Sequence, residues 1–176
     1  MVEEIGNVQS DKQVLLSALI NSNGSFKIFS ELPLVNQMTE EHAKIIFTCM
    51  KEKHYQEGDV IYRAEEEADG EMYLILDGKV GVEGQNGYHY ANLRAGDVFG
   101  LFSFLDDKRD HSATIRAEKD TTVLVLERNY FDLVALEDPK LGQYLMYFMF
   151  RLLSKKALKM EIEYAHMHEF ALGRKV

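Results

Sequence analysis

The sequence predicts a mainly β domain with flanking helices, of the small jelly-roll type. Three observations lead to this fold class: period-two apolar segments between residues 53 and 127, turn residues between those segments, and helical periodicity on both sides. Many short strands joined by regular turns are typical of sandwiches and barrels, and the jelly roll is one of these. A chain of 176 residues is long enough for one such domain with an appendage.

The N-terminal part is expected to contain a loose tail and helices that lead into the roll. Residues 11–21 have the apolar face of a short helix, and residues 1–25 are assigned to the tail and this helix. Aromatic and leucine residues around Pro33 predict a turn that packs onto the core. Thr39 is a good N-cap and Glu40 follows it, where the helix dipole favours negative charge, so a second helix should begin there.

Six segments with alternating apolar residues predict the strands of the roll. They lie in the range 26–137, which is assigned to the roll and the helices that lead into it. The segments are Val60–Tyr62, Met72–Leu76, Lys79–Glu83, Tyr88–Leu93, Ser112–Arg116 and Thr121–Leu126. Between two of them, Asp77-Gly78 predicts a hairpin turn because both residues tolerate positive φ.

A long C-terminal helix is predicted over residues 138–173, with Asp138 as N-cap, Pro139 in the first turn and Gly173 as the stop. Its apolar residues recur at alternating steps of four and three, as in a coiled coil. The residues assigned to this seam are Phe150, Leu153, Ala157, Met160, Tyr164 and Met167. Because a single chain would expose such a stripe, the seam predicts a parallel homodimer.

The run GDVIYRAEEEADGEMYLILDGKVGV from Gly58 to Val82, followed by LRAGDVFG, resembles the cyclic nucleotide-binding domain family. The family includes bacterial catabolite activators and the regulatory subunits of cyclic-AMP-dependent kinase. Glycines at positions 58, 78 and 96 carry much of the resemblance, which covers about residues 26–160. It implies the β roll known as the double-stranded β-helix, with helices on either side.

In that family a phosphate-binding cassette holds the ligand. The resemblance implies that an Arg contacts the cyclic phosphate and that a Glu accepts a hydrogen bond from the ribose 2′-hydroxyl. Here Leu101 stands in place of the Glu and His111 in place of the Arg, and Arg109 is a substitute cation only if the loop is displaced. The residues assigned to the modified cassette are Phe99, Gly100, Leu101, Phe102, Arg109, His111, Ser112 and Ala113.

These replacements favour a regulatory and interaction module whose cyclic nucleotide binding is weak or lost, with Leu101 and neighbouring aromatic residues filling a relic pocket. One alternative is a true sensor that binds cyclic AMP, cyclic GMP or another small anion through the modified cassette. A second alternative is a relative of the transcription regulators that lacks their DNA-binding domain, since the sequence ends at Val176 before a helix-turn-helix unit. Apart from such a nucleotide, no cofactor is expected.

Composition narrows the partners and the compartment. A net charge of −9 disfavours nucleic acid, and the basic residues Arg151, Lys155, Lys156 and Lys159 are interpreted as a solvated helix face. The sequence has no apolar run that could span a membrane and no secretory signal. Its single cysteine suits a reducing compartment, so a cytoplasmic location is expected. The expected partners are a second copy and a signalling protein, and no enzymatic motif or metal-ligand pattern is present.

Overall fold

The computed structural model describes Ile20 and residues 23–106 and 110–173. The helix predicted over 11–21 lies, except for Ile20, outside the described residues. In chain order the elements are α1 (Gly24–Glu31), α2 (Glu40–Thr48), β1 (Lys51–Tyr55), β2 (Val60–Tyr62), β3 (Glu71–Asp77), β4 (Lys79–Glu83), β5 (His89–Arg94), β6 (Val98–Phe99), α3 (Leu101–Leu105), β7 (Thr114–Ala117), β8 (Thr121–Glu127), α4 (Arg128–Glu137) and α5 (Pro139–Ala171).

The turn predicted around Pro33 is present, but Phe26 and Phe29, which the sequence placed in it, lie on the preceding helix α1. The Asn23 side chain accepts hydrogen bonds from the backbone N–H groups of Ser25 and Phe26, at 2.8 and 3.2 Å. This cap satisfies two free donors at the helix start, and Phe26 and Phe29 then lie on one buried face. The helix ends just before Pro33, as expected for a residue that disfavours helical backbone ahead of it.

Eight antiparallel strands form two sheets, with strand orders β1-β8-β3-β6 and β2-β7-β4-β5. The hairpin predicted at Asp77-Gly78 is confirmed, since β3 ends at Asp77, β4 begins at Lys79 and Gly78 has φ +96°. Strands β1 and β6 have no counterpart among the six predicted segments. The first is a polar edge strand whose Lys51 pairs with Glu127 at 2.6 Å, so it lacks the apolar alternation that marks the others.

Strand β3 separates two apolar cores because both of its faces are buried. Met72, Leu74 and Leu76 face the helices, where they pack with Phe29, Phe148 and other helical residues. Tyr73 and Ile75 point between the two sheets and form the interior of the roll. This arrangement follows from the two-residue period of a strand, and it confirms a mainly β roll flanked by helices.

Helix α5 leaves the domain after its first half. The Asp138 carboxylate caps its start by accepting from the N–H groups of Lys140 and Leu141, both at 3.1 Å. Leu145, Phe148 and Leu152 are buried in the helical core, whereas nearly all residues from Ala157 onwards are exposed. Among the described residues, no helix is long and apolar enough to cross a membrane.

Candidate ligand site

A cavity of about 750 Å³ lies between the roll and α5, and this volume is typical of small-molecule sites. The cassette residues that line it are Phe99, Gly100, Leu101, Phe102, His111, Ser112 and Ala113. Arg109, the remaining residue assigned to the cassette, lies outside the described residues. The structure thus brings together at one cavity every assigned cassette residue that it describes.

Gly100 makes the sharp connection between β6 and α3. Its φ of +72° lies in the left-handed region that residues with a Cβ seldom adopt. A Cβ at this position would fall on the carbonyl oxygen of Glu71 and come within 3.0 Å of the Tyr73 ring. The carbonyl of Gly100 accepts from the Ser103 hydroxyl at 3.0 Å, which holds the first turn of α3. Only glycine therefore fits this corner of the cavity.

Leu101 and Phe102 do not fill the cavity, contrary to the expectation from the sequence. Leu101 is 1% exposed and packs in the helical core, with Phe104 and the apolar residues of β3. Phe102 points away from that core and is 49% exposed at the cavity edge. The isobutyl group of Leu101 offers no acceptor to a ribose hydroxyl, so the contact that a Glu would make has no counterpart at this position.

His111 is buried beneath the cavity wall, so it does not extend into the cavity as the longer side chain of an Arg at this position could. The residue is 4% exposed, and its ring stacks on Tyr62 with centroids 3.8 Å apart and planes 8° from parallel. Its backbone N–H and carbonyl pair with Glu66 and Glu65, at 3.0 and 2.8 Å. These contacts hold the imidazole within the roll, where stacking and backbone pairing restrict its reach.

The His111 imidazole faces the carboxylate of Asp69, an exposed residue. Its Nε2 is 3.9 Å from Oδ1 of Asp69, a separation that exceeds hydrogen-bond length. The Tyr73 hydroxyl donates to Oδ2 of Asp69 at 2.7 Å and also lies against Glu71. Burial, followed by these two carboxylates, raises the pKa of Tyr73 well above its ordinary value, so the hydroxyl remains a donor.

The last two cassette residues have different environments. Ala113 is buried in the interior of the roll, whereas Ser112 is exposed at the cavity. Together with the Gly100 corner, Ser112 preserves a small polar frame on the roll side of the cavity. Neither residue supplies a charge.

Helix α5 supplies the opposite wall, and its lysines are the functional candidates that the sequence interpretation missed. Lys155 Nζ donates to the carbonyl of Gly96 at 2.8 Å, which ties α5 to the roll. Lys156 and Lys159 line the cavity, and Lys156 Nζ lies 5.9 Å from the centroid of the Phe102 ring. Burial lowers the pKa of Lys156, Asp97 acts in the opposite direction, and Lys159 lowers it further.

The interpretation of these basic residues as a solvated face is therefore wrong for Arg151 and Lys156, which are half-buried, whereas Lys155 and Lys159 are exposed. Arg151 also contacts the protein, since its guanidinium donates to the Gln37 side chain at 2.8 Å and to the Leu34 carbonyl at 3.4 Å. A signal was present in the sequence: Lys156 and Lys159 follow the core residue Leu152 by four and seven positions, which places all three on one helix face.

The residues assigned to the dimer seam form an exposed stripe on α5, with one exception. Leu153 is partly buried and packs against the helical core, while Phe150, Ala157 and Tyr164 are exposed. Met160 and Met167 are exposed too, and both also border the cavity. Within the described ranges, no group of three or more His, Cys, Asp or Glu side chains is arranged to hold a metal ion.

Comparison with known proteins agrees with the geometry. Residues 52–138 match the family model described as the cyclic nucleotide-binding domain. A sequence comparison with curated proteins gives no match. A solved cyclic nucleotide-binding domain from Methylobacillus flagellatus superposes with a TM-score of 0.65 at 21% identity, over 86% of this chain and 84% of that one.

Two kinase regulatory structures have the same fold. The second cyclic-nucleotide domain of a protein kinase A regulatory subunit, bound to Sp-2Cl-cAMPS, has a TM-score of 0.55 at 23% identity, over 85% of this chain and 89% of that one. The regulatory subunit of a cAMP-independent protein kinase A from Trypanosoma brucei has a TM-score of 0.60 at 19% identity, over 82% of this chain and 50% of that one. At these identities the structural likeness establishes the fold.

Proposed function

The chain belongs to the cyclic nucleotide-binding domain family through residues 52–138, and from that premise we propose that it is a non-catalytic regulatory module of cytoplasmic signalling with weak or lost affinity for cyclic nucleotides. One observation carries this proposal. At the two positions where the family places a charged ligand contact, the chain has a core leucine, Leu101, and a buried histidine, His111.

The expected loss of affinity is large. Removing one partner of a buried, charged hydrogen bond costs about 2–5 kcal/mol. A tenfold change in affinity corresponds to about 1.4 kcal/mol, so two such losses weaken binding by several powers of ten. The Trypanosoma brucei neighbour is described as the regulatory subunit of a cAMP-independent kinase, which supports the idea that this fold can regulate without that nucleotide.

Calorimetry with cyclic AMP and cyclic GMP tests the proposal. We expect no binding at micromolar concentration for the natural sequence, and measurable cyclic AMP affinity for the double variant Leu101→Glu with His111→Arg, measured at a temperature where thermal melting shows that variant to be folded. A matched control, Leu105→Glu with His111→Arg, adds the same charges but places the acid on the half-exposed part of α3. Micromolar binding by the natural sequence, or equal gains in both double variants, would contradict the proposal.

We further propose that the module acts as a homodimer, through the seam on α5, and presents its surface to a signalling protein. The support is the exposed apolar stripe, in which Phe150 and Tyr164 are 62% and 66% exposed. Burying such a stripe against a second copy removes apolar surface from water at about 25 cal/mol per Å².

Light scattering at low micromolar concentration tests the dimer and should give about twice the 20.3 kDa chain mass. The variant Tyr164→Glu should halve that mass. Its control, Ile162→Glu, makes a similar change roughly 200° around the same helix and should leave the mass unchanged. A monomeric natural chain, or equal effects of both variants, would refute the seam.

A second candidate function, a ligand sensor, is favoured by the open cavity. A relic pocket filled by its own side chains would leave little volume, but about 750 Å³ remains between the roll and α5. A ligand there would contact both the roll and the helix that forms the seam, and it could thereby influence the dimer surface.

A further inference from the structure

We propose that this cavity binds a phosphate monoester carried on a flat ring, and that Lys156 and Lys159 of α5, rather than the cassette, hold the phosphate. The inference deepens the second candidate function, the ligand sensor, and rests on it. The ligand class and the phosphate-binding residues both differ from those implied by the resemblance to cyclic nucleotide-binding domains.

The aromatic side chains at the cavity suit a flat ring. Tyr62 and Tyr90 approach it from the roll, and Phe102 approaches it from α3. Aromatic and apolar walls with a few polar groups are the usual setting for planar ligands, and the exposed rings of Tyr90 and Phe102 can pack against an incoming ring. Leu101 offers no acceptor for a ribose hydroxyl, so the ring need not carry a sugar.

The positive charge at the cavity is concentrated on one helix face. Lys156 and Lys159 are three positions apart, so their Cβ atoms are about 5–6 Å apart and both ammonium groups can reach one anion. Within the described part of the chain, neither ammonium forms an ion pair with a carboxylate, whereas Lys155 is engaged by the Gly96 carbonyl. Two neighbouring ammonium groups repel each other, and a bound anion removes that repulsion.

Carboxylates at the cavity offset part of this positive charge. Asp97 and Asp110 also line the cavity from two loops, and Glu163 lines it from α5 itself, four positions after Lys159, although no ion pair joins Glu163 to either lysine within the described ranges. Asp97 is engaged in its own turn, where Oδ2 accepts from the backbone N–H of Arg94 at 3.0 Å. Lys156 is partly buried and its pKa is lowered mainly by that burial, so an incoming anion would meet a poorly hydrated ammonium group.

The number of charges selects the ligand class. A phosphate monoester carries about −1.5 to −2 charges at pH 7, and a cyclic diester carries a single one. Two ammonium groups therefore gain more from the monoester, whereas the single Arg of the family's cassette suits the diester. Without the charged cassette residues the cavity binds cyclic nucleotides weakly, and its two lysines favour a more highly charged phosphate.

Calorimetry at low ionic strength, with adenosine 5′-monophosphate and phenyl phosphate as probes and cyclic AMP as the comparison, tests the assignment. We expect at least one monoester to bind at least about tenfold more tightly than cyclic AMP. Lys156→Gln and Lys159→Gln should each weaken that binding about tenfold, as expected for loss of one charged hydrogen bond. Lys140→Gln removes the same charge from the same helix, roughly 24 Å away, and should have no effect.

The outcomes separate this inference from the functions proposed above. No binding of either monoester, or monoester binding that all three variants leave unchanged, overturns the lysine site while leaving the regulatory proposal intact. Micromolar cyclic AMP binding that both cavity-lysine variants leave unchanged overturns the regulatory proposal as well. Thermal melting of each variant confirms that a lost signal reflects the missing ammonium group rather than unfolding.

Discussion

Substitution of Gly100 by alanine provides a sharp test of the site geometry. Two costs follow from the structure. A residue with a Cβ at φ +72° adopts the left-handed conformation at a cost of about 1–2 kcal/mol. The new Cβ also falls on the Glu71 carbonyl oxygen, a backbone atom of β3 that cannot move without disturbing the strand. Overpacking of this kind costs about 1–3 kcal/mol, so the total is about 2–5 kcal/mol.

Urea unfolding of three alanine variants separates these two costs. At Gly87, φ is +74° but no atom lies within 4 Å of the place that a Cβ would occupy, so Gly87→Ala measures the conformational cost alone. At Gly24, φ is ordinary and the space is open, so Gly24→Ala should be neutral or slightly stabilising. We expect destabilisation in the order Gly100, Gly87, Gly24. Equal values for Gly100→Ala and Gly87→Ala would refute the close approach of Gly100 to β3.

Two further predictions concern buried groups. Leu101→Glu alone should destabilise the fold by about 3–5 kcal/mol in urea unfolding, because it buries a carboxylate without a partner. The control Leu105→Glu should cost less than about 1 kcal/mol. Similar values for the two variants would show that Leu101 is not a core residue. Burial raises the pKa of Cys49 from 9.0 to about 11, so the stability that the protonated thiol contributes is fully present below pH 9 and is lost as the pH rises through about 11. Unfolding measured between pH 8 and 11 should show a steeper fall for the natural chain than for Cys49→Ala, and parallel curves would contradict the burial of the thiol.

The fold was largely predictable because most strands have strong local signals. Strand β4 and the hairpin at Asp77-Gly78 are marked by alternation and by turn residues, which are local properties of the chain. Strand β1 has no such signal, because its stability comes from pairing with β8, about seventy positions further along. Helix α1 is short and depends on its Asn23 cap and on packing against other helices, so the apolar residues near Pro33 indicated only a turn.

The site was predictable in its frame but not in its charges. The resemblance assigned Gly100, Leu101, His111 and Ser112 to one cassette, and all four line one cavity. It could not show that Leu101 points into the helical core, because that orientation depends on the packing of α3 against β3. The contribution of Lys156 was hidden for a similar reason, since it depends on where α5 crosses the roll.

The second half of α5 projects beyond the core, so its far end moves further than its anchored part when the helix tilts. The helix is anchored in apolar packing up to Leu152, and some nineteen residues, or about 28 Å, extend beyond this fulcrum to Ala171. The cavity borders that segment next to the fulcrum, at Lys155 and Lys156. A tilt of about 5° there would displace the distal end sideways by about 2.5 Å, which would change its distance from any surface packed against it. A small change of helix angle at the cavity thus becomes a larger displacement at the far end of α5.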